Sequence, residues 1–325
     1  MPKPLRVIVT GAAGFIGHHA VKALLKAGHE VLALDNLNEY YDLKLKTDRL
    51  EQIGSPGGFA FEKVHISEHE KIASIFDKYA PTHVLHLAAQ AGVRYSIDHP
   101  FSYIDSNIKG HLSILEAARH SRSLEHIIYA SSSSVYGNDT EPPFSESDRA
   151  DTPVSLYAAT KRADELLSES YARLYGIPQT GLRFFTVYGP WGRPDMAYWL
   201  FTRAILDAKP IKVFNNGELE RDFTYIDDVI DVLIRIVEEK NTGFGHRLYN
   251  IGGAKPVPLK KFIEVIAKAC DREAECEYLP MQKGDVYRTH ADLTRISREY
   301  GYAPKTEIET GIPRFVQWYR DYFRI

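Results

Sequence analysis

At 325 residues, 44% of them apolar, the chain has enough hydrophobic material for one large domain or a large one and a small one, which excludes disorder and fibre. Its 40 basic and 43 acidic residues leave a formal charge of −3, so no broad field draws it to nucleic acid or a membrane surface, and any anion binding must be local. Cys270 and Cys276, the two cysteines, read as ordinary thiols of a reducing compartment, without the spacing of metal ligands.

The first strand is expected over 6–10. Its run Val7-Ile8-Val9 breaks at Gly11, too soon for the core of a signal peptide, and no stretch reaches the roughly 18 apolar residues of a membrane span. These features point to the cytoplasm. Short β-branched runs then alternate with amphipathic helices: strands over 30–35, 60–65, 83–87, 126–130 and 180–184, and helices over 16–27, 68–79, 101–121 and 156–175. The alternation predicts βαβ units and an α/β fold, a Rossmann-type doubly wound parallel sheet over 1–185. After Gly189 the texture changes, with Pro190, Gly192 and Pro194 ahead of a helix and more turns beyond. Residues 186–325 are therefore expected to form a smaller C-terminal α/β lobe, with about 222–250, including a helix near 225–238, returning to the first sheet.

The segment Thr10-Gly11-Ala12-Ala13-Gly14-Phe15-Ile16-Gly17 falls where the first strand turns into the first helix, so its glycines allow backbone N–H groups and a helix N-terminus to approach a pyrophosphate. Such glycines also occur in plain tight turns. Asp35, 18 residues after Gly17, ends the second strand, where a carboxylate accepts the hydroxyls of an adenine ribose and repels a 2′-phosphate, favouring NAD over NADP. The alternative use of such an aspartate is to cap a loop or helix.

Tyr157 and Lys161 lie four residues apart within one predicted helix and share a face. A free tyrosine is a poor base at neutral pH, but a neighbouring ammonium and an oxidised nicotinamide favour the phenolate. The same spacing is frequent on ordinary amphipathic helices. Ala130-Ser131-Ser132-Ser133-Ser134-Val135-Tyr136-Gly137 decides between the readings, because it sits just past the fifth strand, at the sheet edge where open α/β folds bind ligands. A hydroxyl there shares a proton with substrate and Tyr157.

With glycine loop, serine run and Tyr157/Lys161 pair in this order, the chain resembles the extended short-chain dehydrogenase/reductase family over nearly its whole length. Finer motifs extend the resemblance: 35–41 (Asp-Asn-Leu-Asn-Glu-Tyr-Tyr), 86–94 (His-Leu-Ala-Ala-Gln-Ala-Gly-Val-Arg), 183–190 (Arg-Phe-Phe-Thr-Val-Tyr-Gly-Pro), 193–197 (Arg-Pro-Asp-Met-Ala) and 221–225 (Arg-Asp-Phe-Thr-Tyr). The resemblance implies tightly held NAD regenerated in each cycle and contacted by Gly11, Gly14, Phe15, Ile16, Gly17, Asp35, Asn36, Asn38, Ile66, Leu87, Ala88, Ala89, Gln90, Asn107, Tyr157, Lys161 and Phe184. Ser132, Tyr157 and Lys161 are the catalytic residues it implies, with no metal. A homodimer packed through long helices is implied too, serving polysaccharide synthesis. One departure is His65-Ile66 after the third strand, where many relatives place an aspartate against the adenine amine.

The activity implied is NAD-dependent epimerisation of a UDP-sugar at C4, from UDP-glucuronate to UDP-galacturonate, through a 4-keto sugar that turns over within the site. Because that intermediate is a β-keto acid, the carboxylate must be held out of line with the carbonyl π-system. Ser133, Ser134 and Thr186 are the candidate donors. Arg221 and Asp285 are candidates for the diphosphate and nucleotide, alongside Val213 and Phe214, with Arg94 and Arg193 as further substrate contacts. Ser133 and Ser134 stand where 4,6-dehydratases and decarboxylases of UDP-glucuronate carry acids. A UDP-glucose or UDP-N-acetylglucosamine 4-epimerase and a non-catalytic NAD-binding scaffold are the remaining alternatives.

Overall fold

The computed structural model describes residues 4–239, 245–281 and 286–325. In chain order the elements are β1 (Arg6–Thr10), α1 (Phe15–Lys26), β2 (Glu30–Asp35), α2 (Leu43–Ile53), β3 (Phe59–Lys63), α3 (His69–Tyr79), β4 (His83–His86), the short helices α4 (Tyr95–Asp98) and α5 (Pro100–Tyr103), a π-helical segment Ile104–Lys109, α6 (Gly110–His120), β5 (His126–Ser132), α7 (Leu156–Tyr175) and β6 (Gln179–Phe184). They continue with β7 (Thr186–Tyr188), α8 (Ala197–Leu206), β8 (Ile211–Phe214), β9 (Glu220–Tyr225), α9 (Ile226–Val237), β10 (His246–Ile251), β11 (Pro256–Pro258), α10 (Leu259–Cys270), β12 (Cys276–Leu279), α11 (Thr294–Tyr300) and α12 (Ile308–Phe323).

Seven strands form one mostly parallel, Rossmann-like sheet in the order β10-β6-β5-β4-β1-β2-β3. The chain crosses from β3 over β1 to β4, and this reversal opens a crevice at the C-terminal ends of β1 and β4. Helices cover both faces, so central strands are apolar on both sides: Val7, Ile8 and Val9, Val84 and Leu85, and Ile127 and Ile128 are fully buried. On one face Ile8, Leu34, Val84 and Ile127 pack with Ile72, Ile75 and Phe76 of α3 and Ile114 and Leu115 of α6.

Two compact units are built from discontinuous segments. The first comprises 1–135, 155–183 and 230–249, and the second 136–154, 184–229 and 250–325. Within the second, β9 is flanked by β11 antiparallel and β7 parallel, while β8 and β12 form a separate parallel pair. Its core is aromatic, with Phe223 stacked on Phe262 at 3.9 Å and the edge of Tyr198 on Phe315 at 4.8 Å. Residues 136–154 group with this second unit rather than with 1–185, because buried Asn250 accepts from the Tyr136 hydroxyl (2.7 Å) and donates to the Phe144 carbonyl (2.8 Å). Of 222–250, only 230–249 groups with the first unit; β9 lies wholly in the second-unit sheet, and β10 is the strand that adds to the large sheet.

The helix expected over 101–121 is interrupted. Pro100 starts it, but Ile104–Lys109 widens into a π turn before Gly110 resumes the α pattern. The other expected helices are continuous, as in α7, where Ser155 caps the first turn by accepting from Ala158 N and Gly176 ends the last in a left-handed conformation. α2 has no counterpart among the expected elements; Asp42 caps it, and Lys44 and Asp48 pair across one turn.

Burial leaves several histidines neutral. It pushes His18 down to about 2, His86 and His126 to about 3, His83 to about 4, and lowers His111 and His246 as well. Their depressed values mean that the unfolded chain binds more protons below about 6.5, so this contribution to stability is present above that pH and is lost as pH falls toward 4. Burial pushes Asp164 up to about 7 and Asp222 to about 6, and raises Glu146 too, so these carboxyls oppose the trend. The lowered rings outnumber the raised carboxyls, so the net effect is a loss of stability as pH falls below about 6.5. Urea unfolding followed from pH 7 to pH 5 is expected to show a midpoint falling steeply; a midpoint independent of pH over this range contradicts the assignment.

Candidate active site

β1 delivers the glycine loop. Gly11 adopts φ +70°, and a Cβ there would stand 2.7 Å from Ala88 N, while a Cβ on Gly17 would stand 2.1 Å from the Gly11 carbonyl. No side chain fits either place without moving backbone. α1 begins at Phe15 with Gly14 at its N-cap and no side-chain cap, so its first-turn N–H groups face outward with a partial positive charge, a fit for a pyrophosphate. Phe15 is buried under the turn and Ile16 is half-buried.

Asp35 ends β2 and caps the loop that follows it. One oxygen accepts Leu37 N (2.8 Å), turning the following loop, and the other accepts Ala13 N (3.1 Å), tying β2 to the glycine loop. A carboxylate has about four acceptor positions, so room for ribose hydroxyls remains. The next turn is locked by asparagines: Asn36 accepts Asn38 N, and Asn38 receives Lys46 Nζ on its carbonyl (2.6 Å) and side-chain oxygen. Burial pushes Lys46 down to about 8. Beside it, fully buried Arg49 donates to the Ala13 carbonyl (2.9 Å) and the Tyr41 hydroxyl (2.6 Å). Lys46 and Arg49 lie on α2, the element missed in the sequence; the Lys44/Asp48 spacing with Leu45, Leu50 and Ile53 was the available signal.

Past β4, Leu87, Ala88 and Ala89 are half-buried, and Ala88 N donates to Thr10 Oγ1 (3.1 Å). Asn107 explains the π turn: its side chain accepts from Gln90 N (2.8 Å) and donates to the Gln90 carbonyl (3.1 Å) and Thr160 Oγ1 (2.9 Å). Three bonds to one amide compensate for the distorted helix and join the 87–90 loop to α7. Ile66 is buried against Gly110, where a Cβ would lie 2.6 Å from its Cδ1. His65 bonds Ser67 within its own loop (2.7 Å).

α7 carries the acid/base candidates. Tyr157 is partly exposed, its ring edge-on to buried Tyr103 at 6.1 Å, and Tyr103 donates to the Ala91 carbonyl (2.9 Å). Lys161 is buried and reaches back to the sheet, its ammonium donating to the Ala130 carbonyl at 2.9 Å and to Asp164 at 3.1 Å. Ala130 leads straight into Ser131–Ser134. Ser132 Oγ accepts from Ser134 N (3.2 Å) and Ser134 Oγ (2.9 Å), folding the serines into a 3-10 turn with Ser132, Ser133 and Ser134 all part-exposed. Ser131 turns inward and donates to Glu165 (2.6 Å). The structure thus brings Lys161 to the root of the serine turn. The Lys161–Asp164 and Glu165–Arg183 pairs were not among the sequence candidates, although the three-residue spacing of Lys161 and Asp164 was visible.

The candidates of the second unit are less uniform. Phe184 is buried and Thr186 pairs with Phe223 in the β7–β9 register. Arg193 forms a two-point ion pair with Asp195. Arg221 donates to the carbonyls of Glu220 and Tyr287 (2.9 and 3.1 Å), so its guanidinium is held by backbone. Val213 is fully buried and Phe214 half-buried in β8, beside Tyr278 and Leu279. Arg94, in the first unit, is exposed at the start of α4, and Asp285 lies outside the described residues.

Residues 7–252 match the model of the "NAD dependent epimerase/dehydratase family". "UDP-glucuronate 4-epimerase 2" of Arabidopsis thaliana is 45% identical over 332 residues, spanning 98% of this chain and 76% of the relative, and "Protein CapI" of Staphylococcus aureus is 45% identical over 335 residues, 98% and 100% of the two chains. Among solved structures, UDP-glucuronic acid 4-epimerase from Bacillus cereus, in complex with UDP-glucuronic acid and NAD, superposes with a TM-score of 0.92 at 33% identity over 98% of this chain and 100% of that one. The chain belongs to the NAD dependent epimerase/dehydratase family.

Proposed function

We propose that the protein is an NAD-dependent 4-epimerase that interconverts UDP-glucuronate and UDP-galacturonate, with Tyr157, Lys161 and Ser132 at the reacting carbon. The observation that carries this is the reach of Lys161 from α7 to the Ala130 carbonyl, which unites the acid/base helix with the serine turn at the open edge of the sheet. The glycine loop, the uncapped start of α1, Asp35, Asn107 and Gln90 are the residues proposed to hold the dinucleotide. NAD, when bound, supplies the redox partner for C4 and recovers its starting state within each cycle. Tyr157 takes the proton from the C4 hydroxyl and returns it, Ser132 shares a hydrogen bond with the same oxygen, and Lys161 favours the phenolate.

Retention of the sugar carboxylate follows from Ser133 and Ser134. Both are neutral hydroxyls; Ser134 Oγ donates to Ser132 Oγ in the free site and turns from it to meet a carboxylate. A carboxylate fixed by such donors stays out of alignment with the C4 carbonyl and is not lost as carbon dioxide. We assign nucleotide recognition to the second unit, through Arg221, Arg193, Thr186, Val213 and Phe214, and NAD binding to the first. A homodimer is supported by the exposed apolar side chains of Phe101, Ile104, Leu112, Leu166 and Leu174 on the helical segments 100–120 and α7. No helix among the described residues is long and apolar enough to cross a membrane; the cytoplasmic setting is proposed from the UDP-sugar chemistry.

Purified protein incubated with UDP-glucuronate, without added reductant, is expected to give UDP-galacturonate. A UDP-pentose as main product would refute the retention argument, turnover confined to UDP-glucose would favour the neutral-sugar epimerase, and no reaction with any UDP-sugar would favour a scaffold.

A further inference from the structure

Among the groups around Tyr157 and Lys161, one buried carboxyl contacts neither the glycine loop nor the serine turn. Asp164 lies one turn beyond Lys161 on α7, with 1% of its side chain exposed, and its Oδ2 accepts from the ammonium at 3.1 Å. Its Oδ1 is buried and has no hydrogen-bond partner among the described residues. The ionisable groups facing it come from several elements: Lys161 and Glu165 from α7, His111 from α6 and Tyr129 from β5, with His86 of β4 beside Lys161 and Arg183 of β6 behind Glu165. Burial keeps His86, His111 and Tyr129 neutral, and Glu165 and Arg183 compensate each other. Lys161 therefore carries the charge that answers Asp164.

Resting on the reading of Tyr157 and Lys161 as the acid/base pair, we propose that Asp164 is a positioning residue that sets how much of the Lys161 charge acts on the Tyr157 phenol. Ionised, Asp164 draws the ammonium inward and raises the free energy of the phenolate; protonated, it leaves that charge to the phenol. Both states are populated near neutrality, since burial pushes Asp164 up to about 7 against the pull of Lys161. Asp164 and Tyr157 are seven residues apart, about 10 Å along the helix, close enough for a charge at an effective dielectric constant near 20 to move a titration by about one pH unit.

The test is a titration of tyrosinate absorbance on NAD-bound protein, with Tyr157→Phe subtracted to isolate Tyr157 from the other tyrosines, in the native and the Asp164→Asn backgrounds. Asp164→Asn is expected to lower the Tyr157 midpoint by about one pH unit, a tenfold gain in phenolate at fixed pH, and to move the acidic limb of kcat by the same amount. Asp164→Ser provides the same loss of charge with a smaller side chain. An unmoved midpoint in both variants, with native circular dichroism, overturns the proposal. A shifted midpoint in a protein whose Tyr157→Phe variant still turns over supports the coupling while removing the acid/base reading.

Discussion

Tyr157→Phe is expected to leave the fold and bound NAD in place and to lower turnover by about 10²- to 10⁴-fold, the usual contribution of a positioned proton-transfer group. The substitution keeps the ring, so the edge contact with Tyr103 survives, and Tyr103 continues to fasten the loop at Ala91 and Gly92. Nothing else in α7 depends on the phenolic oxygen: the helix is capped by Ser155 and docked through Lys161, Thr160 and Glu165. Thermal stability of the variant should therefore stay close to that of the parent. The informative measurement is single-turnover formation of UDP-galacturonate alongside the NAD content of the purified protein. Near-normal turnover with full NAD content would remove Tyr157 from the mechanism.

The largest effect on stability is expected at Glu165. Its carboxylate accepts Arg183 Nε and a terminal guanidinium nitrogen, both at 2.8 Å, together with Ser131 Oγ at 2.6 Å and Arg162 at 2.9 Å. Glu165 and Arg183 are each 1% exposed. Removing the carboxylate leaves the Arg183 charge in a dry interior, a loss of about 3–5 kcal/mol, whereas replacing both ends of such a pair with apolar groups is often neutral. Glu165→Ala should thus lower the unfolding free energy by this amount in urea titrations, and a loss under about 1 kcal/mol would show that water or a rearranged partner compensates the guanidinium. Because Ser131 adjoins Ser132, the same variant is expected to loosen the serine turn and to lower kcat beyond the effect of stability.

Legibility in the sequence followed the range of the interactions. β1, β2 and α7 matched the expected residues, because periodicity, the glycine break and the Ser155 cap act within a few positions. The helix expected over 101–121 did not hold, since its π turn is stabilised by Asn107 bonding Gln90 and Thr160, 17 and 53 residues away. α2 escaped notice for a related reason: its inward face carries Lys46 and Arg49, which read as surface charges until the Asn38 and Ala13 carbonyls are seen to receive them. The segment 136–154 likewise follows the serine run in sequence, yet Asn250 draws it into the second unit.

By itself the sequence determined the chemistry on offer: a glycine turn that admits a pyrophosphate, a carboxylate at the end of β2, a serine run that closes β5 and turns out of it, and a phenol and an ammonium one helical turn apart. These are local patterns, and local sterics and spacing suffice to specify them. Only the tertiary structure decided that the ammonium is divided between the Ala130 carbonyl and the Asp164 carboxylate, that Asp35 also ties the glycine loop, and that Glu165 neutralises Arg183 inside the sheet. The physical reason is burial. A charge removed from water must find its partner in space, and which residues become partners depends on the crossing of α7 over β5 and β6, not on their distance along the chain.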